Sequence, residues 1–294
     1  NPDNPLHLIN GNDGGVNISY DGGDHWTKCN SPAVGQFYTI AVDNQKYYNV
    51  YGGLQDNGVW KGPNNYNYST SWHQEGKYPY QRIAGGDGMQ IQIDNRDQTV
   101  YTGSQFGHYY RRDANGGYAY IHPMHDLKTE KLRWNWQTPI MLSMHNQDIL
   151  YMASNKLHRS RNKGKTFEEI SPDLSNGRKD GDVSYGTISC ISESKFEFGL
   201  IYAGTDDGNI QLTKNEGKTW SNISQKLPQH LWVRKIVASE HKKERVYALL
   251  NGHTWDHFNS YIYISEDYGT TWTQVGNNLP AECLNALKED AITE

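Results

Sequence analysis

The 294-residue sequence is poor in the features that usually assign a chain quickly. No apolar run approaches the roughly 20 residues that a membrane-spanning helix needs, so no transmembrane segment is expected. Cys29, Cys190 and Cys283 are isolated from one another. They read as small buried apolar residues rather than as a disulfide framework or a zinc site, and they do not settle the compartment. No signal peptide is visible, and the chain opens on Asn1 rather than Met, as it would if a leader had been removed or never included. A net charge of −5, from 33 acidic and 28 basic residues interspersed, leaves no electrostatic footprint for nucleic acid or an anionic membrane. The basic clusters Arg159–Lys163 and Lys242–Arg245 are short and read as solvated faces. No segment of any length carries apolar residues three and four apart, so amphipathic helices are not expected.

What the chain does have is aromatic and glycine content: 21 Tyr, 9 Trp and 29 Gly. Aromatic residues favour strands and glycines favour turns, a composition that fits many short strands. The strands repeat. IAVD (Ile40–Asp43), IQID (Ile91–Asp94), IMLS (Ile140–Ser143), ISCIS (Ile188–Ser192), IVAS (Ile236–Ser239) and LKED (Leu287–Asp290) fill one slot. All but the last are followed, after a polar turn, by an aromatic strand: VYGG, VYTG, LYMA, IYAG or VYAL. From Asp43 through Asp94, Ser143, Ser192 and Ser239 to Asp290 the steps are 51, 49, 49, 47 and 51 residues. Asp3 occupies the same slot in a shorter first unit. A unit of about 50 residues with four short strands is the size of a propeller blade. The fold expected is all-β, a β-propeller of four-stranded blades, with six repeat units visible and a seventh starting at Asp290. Residues 1–294 are expected to form a single propeller region of a longer protein with seven or more blades. In a closed six-blade alternative, LNALKED would complete the first unit, which lacks its own opening strand.

A second motif recurs inside this ruler. SYDGGDHW (Ser19–Trp26), SRNKGKTF (Ser160–Phe167), TKNEGKTW (Thr213–Trp220) and SEDYGTTW (Ser265–Trp272) share Ser/Thr-x-Asp/Asn-x-Gly-x-x-Trp/Phe. The motif follows the aromatic strand, so it is placed in the hairpin between the third and fourth strands. Asp21, Asn162, Asn215 and Asp267 are suited to accept backbone N–H bonds within their own turn. Gly23, Gly164, Gly217 and Gly269 supply positive φ, and Trp26, Phe167, Trp220 and Trp272 supply apolar anchors. Ser19, Ser160, Thr213 and Ser265 complete the motif. Its expected role is structural.

These segments resemble the Asp-box, or BNR repeat, of sialidases, sortilin and related propellers. The wider text, including NGNDGGVNISYDGGDHW, GGDGMQIQID, EEISPDLS and IYAGTDDGNIQLTKNEGKTW, resembles large bacterial sortilin-like proteins often labelled BNR-repeat glycosyl hydrolases, over nearly the whole chain. What the resemblance implies is a secreted, cell-surface or periplasmic propeller that holds a protein, peptide or glycan ligand. It needs no cofactor. Sialidase chemistry is not expected: the nearest text to its Phe/Tyr-Arg-Ile-Pro motif is YQRIAGG at Tyr80, which lacks the adjacent aromatic and the Pro.

The alternative is a glycoside hydrolase. In two-propeller xyloglucan hydrolases the base sits in a Thr-Asp-x-Gly-Gly loop, and GNDGGV places Asp13 in a similar, one-residue-shorter setting. Inversion needs two carboxyls roughly 6.5–9.5 Å apart, and the partner of Asp13 would lie outside this chain. Asp56, Asp206 and Asp207 occupy the same slot in other units, and a residue that recurs from unit to unit reads first as a loop-fixing group. No metal site is expected, because HPMHD and HTWDH lack helical context and a neighbouring Glu and read as polar loop histidines. Aromatic residues in Asn- and Gly-rich loops suit sugar rings and peptides alike. Trp72, Trp255 and His253, with Asp56, Asp206 and Asp207, are the candidate ligand contacts, whereas Trp134 and Trp136 are expected in the core. A third reading, a structural or assembly subunit of a larger complex, would present a large flat apolar patch.

Overall fold

The computed structural model describes residues 1–12, 15–29, 35–67, 69–71, 75–124, 130–179 and 181–293. Its strands form six antiparallel sheets, each a meander whose neighbours in space are neighbours in sequence. Blade 1 has three strands, β1 (Leu8–Asn12), β2 (Gly15–Ser19) and β3 (Thr27–Cys29). Blade 2 has four, β4 (Phe37–Val42), β5 (Asn49–Leu54), β6 (Gly58–Pro63) and β7 (Gln81–Ala84). Blade 3 runs β8 (Gln92–Asp94), β9 (Thr99–Ser104), β10 (His108–Arg112) and β11 (Tyr118–Ile121), and blade 4 runs β12 (Ile140–Leu142), β13 (Leu150–Ala153), β14 (Leu157–Ser160) and β15 (Glu168–Glu169). Blade 5 comprises β16 (Ile188–Glu193), β17 (Ile201–Thr205), β18 (Ile210–Thr213) and β19 (Ser221–Asn222). Blade 6 comprises β20 (Trp232–Ala238), β21 (Val246–Gly252), β22 (His257–Ser265) and β23 (Thr273–Val275). The fold is an all-β propeller. Among the described residues its one helical segment is a 3-10 turn, His253–Trp255, and no helix is long and apolar enough to cross a membrane.

The chain divides into two compact units, residues 1–91 with 102–104, and residues 92–101 with 105–294. In the first unit, the slot residue Asp43 accepts hydrogen bonds from the Asn49 backbone N–H at 2.9 Å, the Asn49 side chain at 2.7 Å and the Tyr51 hydroxyl at 3.2 Å. A polar side chain that closes its strand end explains why the slot ends in Asp or Ser.

In the second unit each blade is fastened to the next by the same parts. The second residue of each second strand is a tyrosine, and Tyr101, Tyr151 and Tyr202 are fully buried. In blade 4 the Tyr151 hydroxyl donates to Glu193 Oε1 at 3.1 Å, while Ser143 Oγ donates to Glu193 Oε2 at 2.7 Å. Glu193 comes from blade 5. In blade 6, Tyr247 and Ser239 make the same pair of bonds to Glu289, at 3.0 and 2.8 Å. Residues 287–290 thus supply the next slot's fastener, although they form no strand as their LKED pattern predicts. Blade 5 lacks the device: the position that would serve it falls at Lys242, and the buried Tyr202 hydroxyl has no hydrogen-bond partner among the described residues.

Arginines reinforce these seams, a correction to the solvated-face reading. Arg159 is 6% exposed and pairs with Glu168 of its own blade at 2.8 Å and Glu216 of blade 5 at 3.1 Å. Arg245 is 8% exposed and pairs with Glu266 at 2.9 Å. A buried guanidinium is tolerable because each has a carboxylate in bonding range. The expected core placement holds for Trp134, 9% exposed, but Trp136 is 40% exposed and packs edge-on against Phe106. Cys190 is buried, whereas Cys29 and Cys283 are only half-buried.

Candidate ligand site

The four box motifs have one geometry. Each lies between the third and fourth strands of its blade, or between β2 and β3 in blade 1. The first hydroxyl donates to the Asp or Asn side chain, at 2.8 Å for Ser19 to Asp21, 2.9 Å for Ser160 to Asn162, 3.0 Å for Thr213 to Asn215 and 2.8 Å for Ser265 to Asp267. The same oxygen accepts the backbone N–H of Gly23, Gly164, Gly217 or Gly269 at 2.7–3.0 Å. The Asp or Asn then accepts the N–H four residues on, at His25, Thr166, Thr219 and Thr271. Those bonds lower the Asp21 carboxyl to about 2, the His25 N–H contributing most. Trp220 and Trp272 donate Nε1–H to Ile170 O at 2.9 Å and Ile223 O at 2.8 Å on the preceding blade. Trp26 is 44% exposed, and Phe167 is half-buried. Every polar atom the motif offers is spent on its own turn or on the neighbouring blade.

The candidate ligand contacts lie at the other blade end, in the turns between second and third strands. Asp13 and Trp72 lie outside the described residues. Asp56 is exposed at φ +58° and donates its backbone N–H to Asp87 Oδ1 at 2.7 Å. Asp206 and Asp207 are each 1% exposed. Asp206 accepts the N–H groups of Gly186 and Thr187 at 3.0 and 2.9 Å, the Thr187 hydroxyl at 2.6 Å and the Asn135 side chain at 3.4 Å. Burial pushes its carboxyl up to about 6 against the pull of those donors. Asp207 accepts the Thr205 hydroxyl at 2.6 Å and the Asn176 N–H at 2.7 Å. Both carboxylates are bound into the loop framework, and no group of three or more His, Cys, Asp or Glu among the described residues has metal-binding geometry.

His122, read as a loop histidine, is instead packed. Its ring lies 4.6 Å from Trp134 and 5.7 Å from Tyr120, and Nδ1 bonds Gly107 O at 2.9 Å. Trp134 stacks in turn on His158, which is 1% exposed and whose pKa burial lowers to about 4.

Blade 6 differs. His253 begins the 3-10 turn and lines a cavity of about 320 Å³ with Trp232, Arg234, Asn251, Thr254 and Asn285, beside Cys283. Trp255, 51% exposed, sits in the same turn without lining the cavity. The cavity wall is built: Asn251 donates to Leu284 O and Asn285 Oδ1, both at 3.1 Å, and accepts the His253 N–H at 2.9 Å. Cys283 Sγ bonds His257 O at 3.3 Å. Sequence reasoning missed Arg234, which is the extra residue of a β-bulge: Val233 pairs Leu250 and Lys235 pairs Leu249. A bulge re-aims the side chain of its extra residue. The signal was present, because β4 and β16 bulge at the same place, at Tyr38 and Ser189. Ser189 donates to Val233 O at 2.7 Å and Gly204 O at 3.1 Å, whereas Arg234 makes no hydrogen bond or ion pair among the described residues.

A family model of Sortilin-Vps10 (Sortilin, neurotensin receptor 3) matches residues 155–290. No curated protein matches the sequence. Among solved structures, the chain is similar to an ancestral GH74 enzyme at 14% identity and a TM-score of 0.58, over 82% of this chain and 31% of that one. It is similar to the GH74 xyloglucanase from Xanthomonas campestris at 14% identity and a TM-score of 0.57, over 94% of this chain and 44% of that one. YCF48 from Cyanidioschyzon merolae aligns at 13% identity and a TM-score of 0.50, over 92% of this chain and 81% of that one. The chain spans less than half the length of either GH74 structure, and at these identities the likeness is one of fold. With its four boxes and repeating sheets, the chain is a BNR, or Asp-box, β-propeller, similar to the Sortilin-Vps10 family across residues 155–290.

Proposed function

We propose that this chain is the binding scaffold of a secreted or cell-surface protein, holding a protein or glycan ligand at the blade ends that carry the turns between second and third strands. One contrast supports the reading. Asp206 and Asp207 are committed to the framework, while the blade 6 cavity presents Arg234, His253 and Thr254 with no hydrogen bond made by their side chains among the described residues. Residues 1–294 are read as a single propeller region of a longer protein, Glu289 standing to Ser239 and Tyr247 as Glu193 stands to Ser143 and Tyr151.

The second reading is glycoside hydrolysis, with Asp13 as one carboxylate. One observation favours it: a carboxyl pushed up to about 6, as in Asp206, lies in the range of a general acid. The experiment measures binding and reducing ends together, on one panel of plant and microbial polysaccharides, for the native protein and for Asp13→Asn and Asp206→Asn. Ligand capture with no new reducing ends is the expected result. Reducing ends that disappear in either variant would overturn the scaffold reading.

A further inference from the structure

Arg234 is half-buried, carries a full positive charge at any physiological pH, and has no counter-ion among the described residues. The protein's other deeply placed arginines do not share this state: Arg159 and Arg245, 6% and 8% exposed, each have a carboxylate within 3 Å. Taking a guanidinium out of water without a partner is unfavourable, and Arg234 shows the strain, since burial lowers its pKa from the ordinary arginine value. The cavity lining contains no Asp or Glu to relieve it. The missing group is an anion delivered from solution.

The rest of the lining describes what carries the anion. Thr254 and Asn285 offer hydroxyl and amide groups, and His253 an imidazole. Trp232, also on β20, is the single aromatic wall. No Leu, Ile, Val or Phe lines the cavity, so it offers no slot for an apolar peptide side chain. A volume of about 320 Å³ lies at the lower end of the range for small-ligand sites. A planar fork of donors, one indole face and several short polar side chains complement a sugar ring bearing an oxyanion.

Resting on the scaffold reading above, we propose that the blade 6 cavity binds an acidic sugar unit of a polysaccharide, its carboxylate or sulfate held by Arg234 and its ring set against Trp232. The shared chemistry is an oxyanion on a pyranose, and two sources supply it, uronates and sulfate esters.

The test is calorimetry on the full chain with four probes: an oligogalacturonide, its methyl ester, a sulfated galactan oligosaccharide, and a short peptide with a free C-terminus. The oligogalacturonide or the sulfated oligosaccharide is expected to bind, with the methyl ester at least tenfold weaker. Affinity for the acidic probe should fall when salt is raised from 50 to 300 mM. Arg234→Gln should lose at least tenfold on the acidic probe, with Arg234→Lys recovering part of it. Trp232→Ala should weaken the acidic probe even if Arg234→Gln proves unstable, so the proposal does not hang on one variant. Equal binding of acid and ester, tight binding by Arg234→Gln, binding of the peptide alone, or no binding of either acidic probe would each overturn it. Failure here with capture of neutral glycans or proteins by the same chain would leave the scaffold reading standing. Failure of all capture would remove both.

Discussion

Tyr151 and Tyr202 occupy the same place in successive blades, both fully buried, and differ in what their hydroxyls meet. Tyr151 donates to Glu193 Oε1 at 3.1 Å, a bond to a buried carboxylate, and such bonds contribute about 1.5–3 kcal/mol. Tyr151→Phe leaves Glu193 with Ser143 Oγ and the Met144 N–H as donors and should cost about 2 kcal/mol. Tyr202→Phe deletes a buried hydroxyl that has no partner among the described residues, and it should be neutral or stabilise by about 1 kcal/mol. The substitutions are isosteric, so cavity formation does not enter the comparison. The two variants should differ by about 3 kcal/mol, roughly 5–10 °C in melting temperature for a unit of this size. Scanning calorimetry and urea unfolding followed by tryptophan fluorescence would measure the difference. If Tyr202→Phe proved as costly as Tyr151→Phe, the Glu193 fastener would not be what stabilises the blade 4–5 seam, and the argument would fail.

His158, lowered to about 4 by burial from an ordinary 6.5, is held neutral in the folded state. Its contribution is therefore fully present above pH 6.5 and lost as pH falls towards 4, by about 3 kcal/mol from a shift of about 2.5 units. Urea midpoints at pH 7 and 4.5 should separate widely in the native protein and much less in His158→Gln. Gly217→Ala places a Cβ 2.2 Å from Ile170 O at φ +89°, and it should cost more than about 3 kcal/mol. Gly177→Ala, at φ +96° with nothing within 4 Å, isolates the backbone strain and should cost about 1 kcal/mol in the same denaturation assay. Equal costs for the two glycines would show that the contact with the preceding blade does not matter.

The repeat was legible because strand and turn signals are local. The Ile-x-x-Asp/Ser slot needs only alternation and a polar strand end, and the box needs only eight residues. What escaped depends on partners a whole unit away. Arg159 reads as part of a basic surface run until Glu216, 57 residues on, is brought beside it by the next blade. Residues 287–290 keep the strand pattern but form no strand, since a strand needs a second one to pair with. Trp136 sits beside the buried Trp134 in the sequence yet turns outward, because alternate residues of an extended chain face opposite ways. Arg234 was hidden for a subtler reason. A bulge shifts the alternation by one residue, so pattern reading assigns its side chain to the wrong face.

The two kinds of fastener in the second unit point in opposite directions along the chain, and this gives its assembly a polarity. A box turn reaches backwards: Gly164, Gly217 and Gly269 close on Ile121, Ile170 and Ile223 of the blade before, and Trp220 and Trp272 bond that blade's carbonyls. On a ribosome emitting about 5–20 residues per second, each box therefore meets a surface made a few seconds earlier. The glutamates reach the other way, Glu193 and Glu289 arriving to claim hydroxyls that Ser143, Tyr151, Ser239 and Tyr247 have held open. Each newly made blade is thus tied down by its own turn at once and locked only when its successor emerges, in the manner of a zip drawn from the N-terminal side.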